Sequence, residues 1–353
     1  MRSSADAPGS TLSRAVAAAD FLRRSPVLYG GGTAGYKEWL HFCVLAPELE
    51  LLVNFSFSDD LRRSDRGAEI ARLTVLVRNE AWDGDVETFR DGDIQARGGA
   101  VDLALGESRL RFRDGRYALR MRLRERPVAA DLVLRPLTAP ARAPNIPMIE
   151  GPALHWIAIP RLAATGTVTV GGHTHRLVDV NAYHDHNFGH LLWGRNFSWR
   201  WAFALPLDAA QPWTFTFASL ADRARSHALS QGVFLWKGAD RCRTFRDHDI
   251  EIRPDVGFLA PRHVFKVPRV MALLSPETTT DVPRSLELDA AAEGDRLHYE
   301  FEAQDLAQVV IPNEVDLGVT VLNEVIGRSS IHGEIRGEVF SAECRSIVEF
   351  LGS

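Results

Sequence analysis

The chain has 353 residues, a length at which a single core usually gives way to two, and its 45% hydrophobic and 25% charged content excludes a disordered or fibrous chain. The formal net charge is −5, the pI about 6.2, and no block of Lys or Arg stands out, which excludes nucleic acid as a partner. Cys43, Cys242 and Cys344 form an odd, widely spaced set, so neither a disulfide framework nor a structural zinc site is expected, and the three read as buried thiols.

Met1 to Arg24 lacks the unbroken apolar stretch of a signal peptide. Leu12, Ala15, Val16, Ala19 and Leu22 follow helical spacing instead, with Ser10 or Thr11 as N-cap, and predict a short amphipathic helix. No run of 18 apolar residues exists, so no integral membrane segment is expected and the cytoplasm is the expected compartment.

Strand and turn patterns then take over. Leu49–Phe57 is a largely apolar strand ending at a Ser58-Asp59-Asp60 turn signal, and Ile70–Val77 is a second. Ser108–Arg113 and Arg116–Leu123 flank Asp114-Gly115, a dipeptide that favours a type I′ hairpin turn. That turn sets Phe112 opposite Tyr117 and Leu110 opposite Leu119, with the arginines on the other face. Val128–Leu134 continues the meander. Prolines 136, 140, 144, 147 and 152 predict a long irregular connection. Strands resume at Leu154–Ile159 and Gly166–Val170, and after the Gly171-Gly172 turn a long strand runs from His173 towards His184. Phe197–Leu205, Trp213–Ser219 and the β-rich stretch from Val233 to Phe350 complete the pattern. Many short strands with little helix predict a mostly β protein of two antiparallel barrel or sandwich domains, 1–195 and 196–353.

Within this frame lies Tyr183-His184-Asp185-His186-Asn187-Phe188-Gly189-His190, set between apolar and aromatic strands. Three histidines, a carboxyl and an amide are costly to bury unless paired. A surface turn would satisfy them all. A metal site would use His184 with His186, or His173 with His175. Along one strand, however, the two pairs lie about 30 Å apart and, without a bulge, on opposite faces. Acid–base chemistry is the third reading: Asp185 in an apolar cavity would retain a proton to higher pH and donate it, with His184, His186 or Asn187 orienting it. Plain core packing accounts for most of the surrounding aromatics. Gly30-Gly31-Gly32 lacks the strand–loop–helix frame of a phosphate loop.

The run Gly35–Phe42, with Glu38-Trp39-Leu40-His41-Phe42, resembles the N-terminal Glu-Trp-Trp-Tyr-Phe signature of the lipocalin-like carotenoid 1,2-hydratase (hydroxyneurosporene synthase) superfamily. Gly166–Val170, the Gly-Gly turn and Tyr183–Gly189 resemble its central Tyr-x-Asp-His-Asn-Trp-Gly signature, and Trp199-Arg200-Trp201 the aromatic strand that follows. The resemblance covers about residues 35 to 350. It implies two tandem lipocalin-like β domains, a ligand pocket at or near their junction, and Asp185 as the acid. Its relatives include cofactor-free Diels–Alderases of polyketide pathways. Leu40, His41 and Phe188 depart from the signatures, which points away from carotenoid as the substrate. The expected function is therefore a cofactor-free cyclase acting on a hydrophobic polyene, polyketide or isoprenoid, closing the ring pericyclically or by proton initiation in an aromatic-lined pocket. A 1,2-hydratase acting through Asp185 and a non-catalytic lipid or pigment carrier are the alternatives. No cofactor or metal is expected. Asp185, His184, His186 and Asn187 are the expected catalytic group, and Trp39, His41, Trp156, Tyr183, Phe188, Trp193, Trp199 and Trp201 the expected substrate-binding residues.

Overall fold

The computed structural model describes residues 8–23, 35–59, 69–148, 153–255, 257–259, 263–274 and 281–352. Helix α1 (Pro8–Ala19) precedes the first strand. Ser10 and Thr11 lie inside it and do not cap it, because the chain is already helical at Pro8, and a first turn tolerates proline. Val16, Ala19 and, just beyond the helix, Leu22 are buried. Ala15 sits one residue off that stripe and is exposed.

The described residues up to Asn145, with Ala153–His190, form one compact unit, and Leu191 onward, with 146–148, forms a second. The first unit contains β1 (Tyr36–Leu45), β2 (Glu50–Asp59), β3 (Glu69–Arg78), β4 (Trp82–Arg90), β5 (Ile94–Ala96) and β6 (Asp102–Leu105). It continues with β7 (Ser108–Arg113), β8 (Arg116–Arg122), β9 (Ala129–Pro136), β10 (Ala141–Ile146), β11 (Leu154–Val170) and β12 (His173–His190). The sheet order is β4-β3-β2-β1-β12-β11-β9-β8-β7-β6-β5, with β10 pairing β11 off this path. The sheet curls until the β8–β9 turn reaches β4, where Arg126 meets Asp83 at 2.6 Å and Arg124 meets Glu87 at 3.2 Å. Its concave side holds the apolar core, including Phe42, Phe55, Leu73, Tyr117, Leu132 and Ile159.

The second unit contains β13 (Ser198–Pro206), β14 (Trp213–Ala221), β15 (Ala228–Lys237), β16 (Asp240–Arg246) and β17 (Ile250–Pro254). Then follow β18 (Phe265–Val267), the single-turn α2 (Met271–Leu274), β19 (Ser285–Ala292), β20 (Asp295–Pro312), β21 (Val319–Ile335) and β22 (Glu338–Gly352). Its order is β16-β15-β14-β13-β22-β21-β20-β19-β17. The edge strands β16 and β17 are joined by one short turn, and Arg243 of β16 bonds Glu293, Ala292 and Asp295 at the β19–β20 turn. The result is a nearly closed barrel with its own core. β18 pairs with β20 in parallel.

The mostly β, antiparallel architecture with a short N-terminal helix is therefore as the sequence predicts. The Asp114-Gly115 hairpin forms with Phe112 opposite Tyr117 and Leu110 opposite Leu119, both turn residues having positive φ. Three local expectations need correction. β2 runs through Ser58 and Asp59, with Asp60 outside the described residues. The proline-rich connection contains a strand, β10, paired to β11. Leu154–Ile159 and Gly166–Val170 are parts of one strand, because Pro160 is absorbed at a bulge between Ile159 and Leu162, where a missing N–H is tolerated. Gly30, Gly31 and Gly32 lie outside the described residues. No helix among the described residues is long and apolar enough to cross a membrane.

Candidate functional site

The polar cluster occupies the second half of β12, between β1 and β11, and is a strand rather than a surface turn. Successive side chains on a strand face opposite ways. His41 and Ala158 lie opposite Asp185 on the two neighbours, while Leu40 and Ile157 lie opposite His186. Hence Trp39, His41, Trp156, Tyr183, Asp185 and Asn187 share one face. Glu38, Phe42, His184, His186 and Phe188 share the other, the core side. The sequence groups His184 and His186 with Asp185 as its partners; the pleat separates them, since both are one residue away from it.

On the core side the histidines converge on Asp20, one residue past α1. His184 is stacked on Phe42 at 3.9 Å; its Nδ1 donates to the His41 carbonyl oxygen (2.9 Å) and its Nε2 meets Asp20 Oδ2 at 3.0 Å. His186 places Nδ1 2.6 Å from Asp20 Oδ1 and Nε2 2.9 Å from Glu38 Oε1. Both partners of His186 are carboxylates, so the ring that satisfies them is the doubly protonated imidazolium. Burial opposes that charge, but the hydrogen bonds and charges of Asp20 and Glu38 outweigh it and push the His186 pKa up to about 9. Burial likewise opposes the Asp20 carboxylate, and the charges and hydrogen bonds of His184 and His186 together hold it far below the usual range. Tyr117 also donates to Asp20, and burial with the Asp20 charge raises its phenol. Glu38 takes further hydrogen bonds from Tyr36 Oη (2.9 Å) and the Arg23 amide (2.7 Å). Phe188 belongs to this side, stacked on His155 at 4.7 Å under the Arg23 guanidinium.

On the opposite face Asp185, 3% exposed, accepts three hydrogen bonds. Trp156 Nε1 (3.3 Å) and Tyr183 Oη (3.1 Å) donate to Oδ2, and Asn187 Nδ2 (3.0 Å) donates to Oδ1. His41 and Cys43 lie on the same face, the imidazole Nε2 3.3 Å from the thiol sulfur, and both are buried. Burial and then repulsion from His184 push His41 down to about 3, so its ring is neutral at physiological pH. A fixed carboxyl, a phenol, a carboxamide and a neutral imidazole among indole rings can exchange a proton with a substrate or hydrogen-bond it.

Neither ring nitrogen of His184 or His186 is turned to a metal, since carboxylates and a carbonyl occupy all four. His173 and His175 stand at the far end of the same continuous strand, where His175 meets Asn79 at 3.4 Å. The expectation that the two pairs do not converge matches this arrangement.

Trp193, Trp199 and Trp201 belong to the second unit. Trp193, Phe197 and Trp199 form a ring cluster with centroids 5.7 to 6.2 Å apart, and Trp201 packs on Phe203. The Trp199 indole donates to Glu349, which lies opposite Glu324 on β21. Burial raises the Glu349 carboxyl against the opposing hydrogen bonds of Glu324 and Trp199. Asp20, Glu324 and Glu349 carry no motif and were invisible in the sequence. Glu38 stands in the N-terminal signature, which is the one signal that could have found it.

A curled antiparallel sheet with a polar cluster inside its longest strand, followed by a second curled sheet, defines a two-sheet lipocalin-like protein. No family model and no curated protein matches the sequence. Solved structures do. A putative AttH from Nitrosomonas europaea matches with a TM-score of 0.63 at 14% identity, over 94% of this chain and 96% of that one. Kievitone hydratase from Nectria haematococca matches with a TM-score of 0.57 at 11% identity, over 90% of this chain and 89% of that one. CghA, crystallised with Sch210972, matches with a TM-score of 0.60 at 12% identity, over 90% and 88%. These matches show that the chain shares the fold of those proteins. The structural neighbours thus include a named hydratase and a protein solved with a small molecule bound.

Proposed function

We propose that the chain is a cofactor-independent cyclase acting on a hydrophobic polyene, polyketide or isoprenoid, with Asp185 as the polar centre of its site. The observation that carries this reading is a buried carboxyl held by three neutral donors on the sheet face turned away from the core. A core has no use for such a group, because burying a carboxyl is costly and an apolar side chain would pack as well. Holding a flexible chain in a reactive conformer can by itself lower a barrier by about 7–11 kcal/mol in favourable cases. In the proton-initiated form, Asp185 donates its proton to one alkene carbon and a second double bond of the substrate attacks the resulting cation. That closes the ring, and loss of a neighbouring C–H proton returns the proton to Asp185.

Hydration is the second reading, favoured by the shared fold with kievitone hydratase. Asp185 then protonates one alkene carbon, water adds to the other, and the second water proton returns to Asp185.

Product analysis on a panel of linear polyenes, polyketide dienes and isoprenoids tests both. We expect a ring product carrying one deuterium when made in heavy water, and Asp185→Asn to fold yet lose about 10²–10⁴-fold in turnover, the usual span for a general acid. A product heavier by one water would replace cyclase by hydratase. Wild-type turnover by Asp185→Asn would remove Asp185 from the chemistry, and binding of panel members with their return unchanged would make the protein a carrier.

A further inference from the structure

The His184 and His186 rings end on the core side of β12 and the Asp185 carboxyl on the other face, yet all three hang on one short stretch of strand. The β1 side of that stretch is a regular ladder: Leu40 to Cys43 pair in sequence with His186 to Tyr183. The β11 side is regular from Leu154 to Ile159, opposite Gly189 to His184, and then breaks. Its register shifts between Ile159, opposite His184, and Leu162, opposite Ala182, so one extra residue interrupts the ladder beside Tyr183. Pro160, at that interruption, has no N–H to give. Bulges of this kind re-aim side chains, and a slip of one residue sends every side chain to the other face. Asp185 is paired on both sides, with His41 and Ala158, but the β11 ladder breaks two residues away from it.

Side chains add a second constraint beside that break. His184 and His186 flank Asp185, and both rings end on the same carboxylate, Asp20, one oxygen each. The far nitrogens are held too, His184 by the His41 carbonyl and His186 by Glu38. Asp20 is itself fixed, its amide bonded to the Val16 carbonyl at the end of α1 and its carboxylate to Tyr117 on β8. One carboxylate thus pins positions 184 and 186 to the core, and with them the outward turn of position 185.

The geometry points to Asp20 as a positioning residue for Asp185, acting through His184 and His186. This role rests on the function proposed for Asp185, but its test needs no substrate. The groups facing His186 are Asp20 beyond α1, Glu38 and Tyr36 on β1, the Arg23 amide and guanidinium, Tyr117 on β8, and His184 and Phe188 on β12.

The readout is the indole N–H resonance of Trp156, whose donor bond ends on Asp185, followed from pH 6 to 10 in the full chain and assigned with Trp156→Phe. In the wild type we expect it to shift with a midpoint near 9, where His186 gives up its second proton. Asp20→Asn should lower that midpoint by about one pH unit or more, since a carboxylate partner is lost. His186→Gln should abolish the titration while near-ultraviolet circular dichroism reports an intact fold. A Trp156 resonance that does not titrate in the wild type, or titrates alike in both variants, overturns the role. If Asp20→Asn fails to fold, Asp20→Glu, which keeps the carboxylate but displaces it, should still move the Trp156 resonance or its midpoint, and an unchanged titration there overturns the role. A flat titration leaves the proposed chemistry of Asp185 standing, and an inactive substrate panel leaves the positioning role standing.

Discussion

Asp20 and Asp185 are equally buried, but opposite things surround them. Asp185 accepts hydrogen bonds from Trp156, Tyr183 and Asn187, whereas Asp20 meets two imidazoles and a phenol. The Asp20 cluster therefore makes stability depend on pH. The His186 pKa is raised from 6.5 to about 9, so its contribution is complete below pH 6.5 and disappears as the pH rises through 9. The Asp20 pKa is depressed from 3.8, so its contribution is complete above pH 3.8 and is lost progressively as the pH falls below it. Urea unfolding followed by tyrosine and tryptophan fluorescence should give its highest midpoint between pH 3.8 and 6.5. By pH 10 the His186 contribution, roughly 3 kcal/mol at 1.36 kcal/mol per pKa unit, should be gone. His186→Gln should flatten the alkaline limb; an unchanged limb would mean another group controls it. Removing Asp20 as Asp20→Ala leaves His184 Nε2 and His186 Nδ1 without their acceptor in the core and should cost about 3–5 kcal/mol.

At the scale of the element, β11 and β12 are 17 and 18 residues long, and Gly166, Gly171, Gly172 and Gly189 take positive φ within or between them. Gly189 has φ +154°, and a Cβ there would lie 2.7 Å from the Ala153 carbonyl oxygen. Gly189→Ala should therefore destabilise the first unit by about 1–3 kcal/mol, the usual cost of a forced backbone conformation. Gly171, in the β11–β12 turn, has φ +58° and open space around it, and Gly171→Ala should cost less. Thermal melts of the two variants side by side check this, and equal losses would remove the close contact as the cause. The same pair of strands shows what local sequence conveys. The Asp114-Gly115 hairpin is legible because turn type and alternation are fixed within a few residues. Pro160 reads as a break because its missing N–H is visible in the sequence. The bulge that accommodates it depends on β12, more than twenty residues further on.

At the scale of the molecule, α1 and α2 are the only α-helices among the described residues, 12 and 4 residues long. Far-ultraviolet circular dichroism should accordingly show strand with less than a fifth helix, and a helix-dominated spectrum would contradict the fold. Each unit has its own apolar core. Composition and alternation carried this architecture, because burying one face of a strand demands a period of two whatever the partner is. The motif around residue 185 carried the place of the site for the same reason: a run of polar groups between apolar strands is a local anomaly. What no local pattern could carry was the membership of the site. Sequence adjacency joins His184, Asp185 and His186, and the pleat divides them between two faces. Asp20, distant from them in sequence by more than 160 residues, joins the two histidines because α1 ends over that part of the sheet. The sequence determined the β class, the hairpin register and the strand that bears the cluster, all set by interactions a few residues apart. Tertiary structure alone decided which carboxylate each histidine meets, because only the folded sheet sets side chains from distant elements within hydrogen-bond reach.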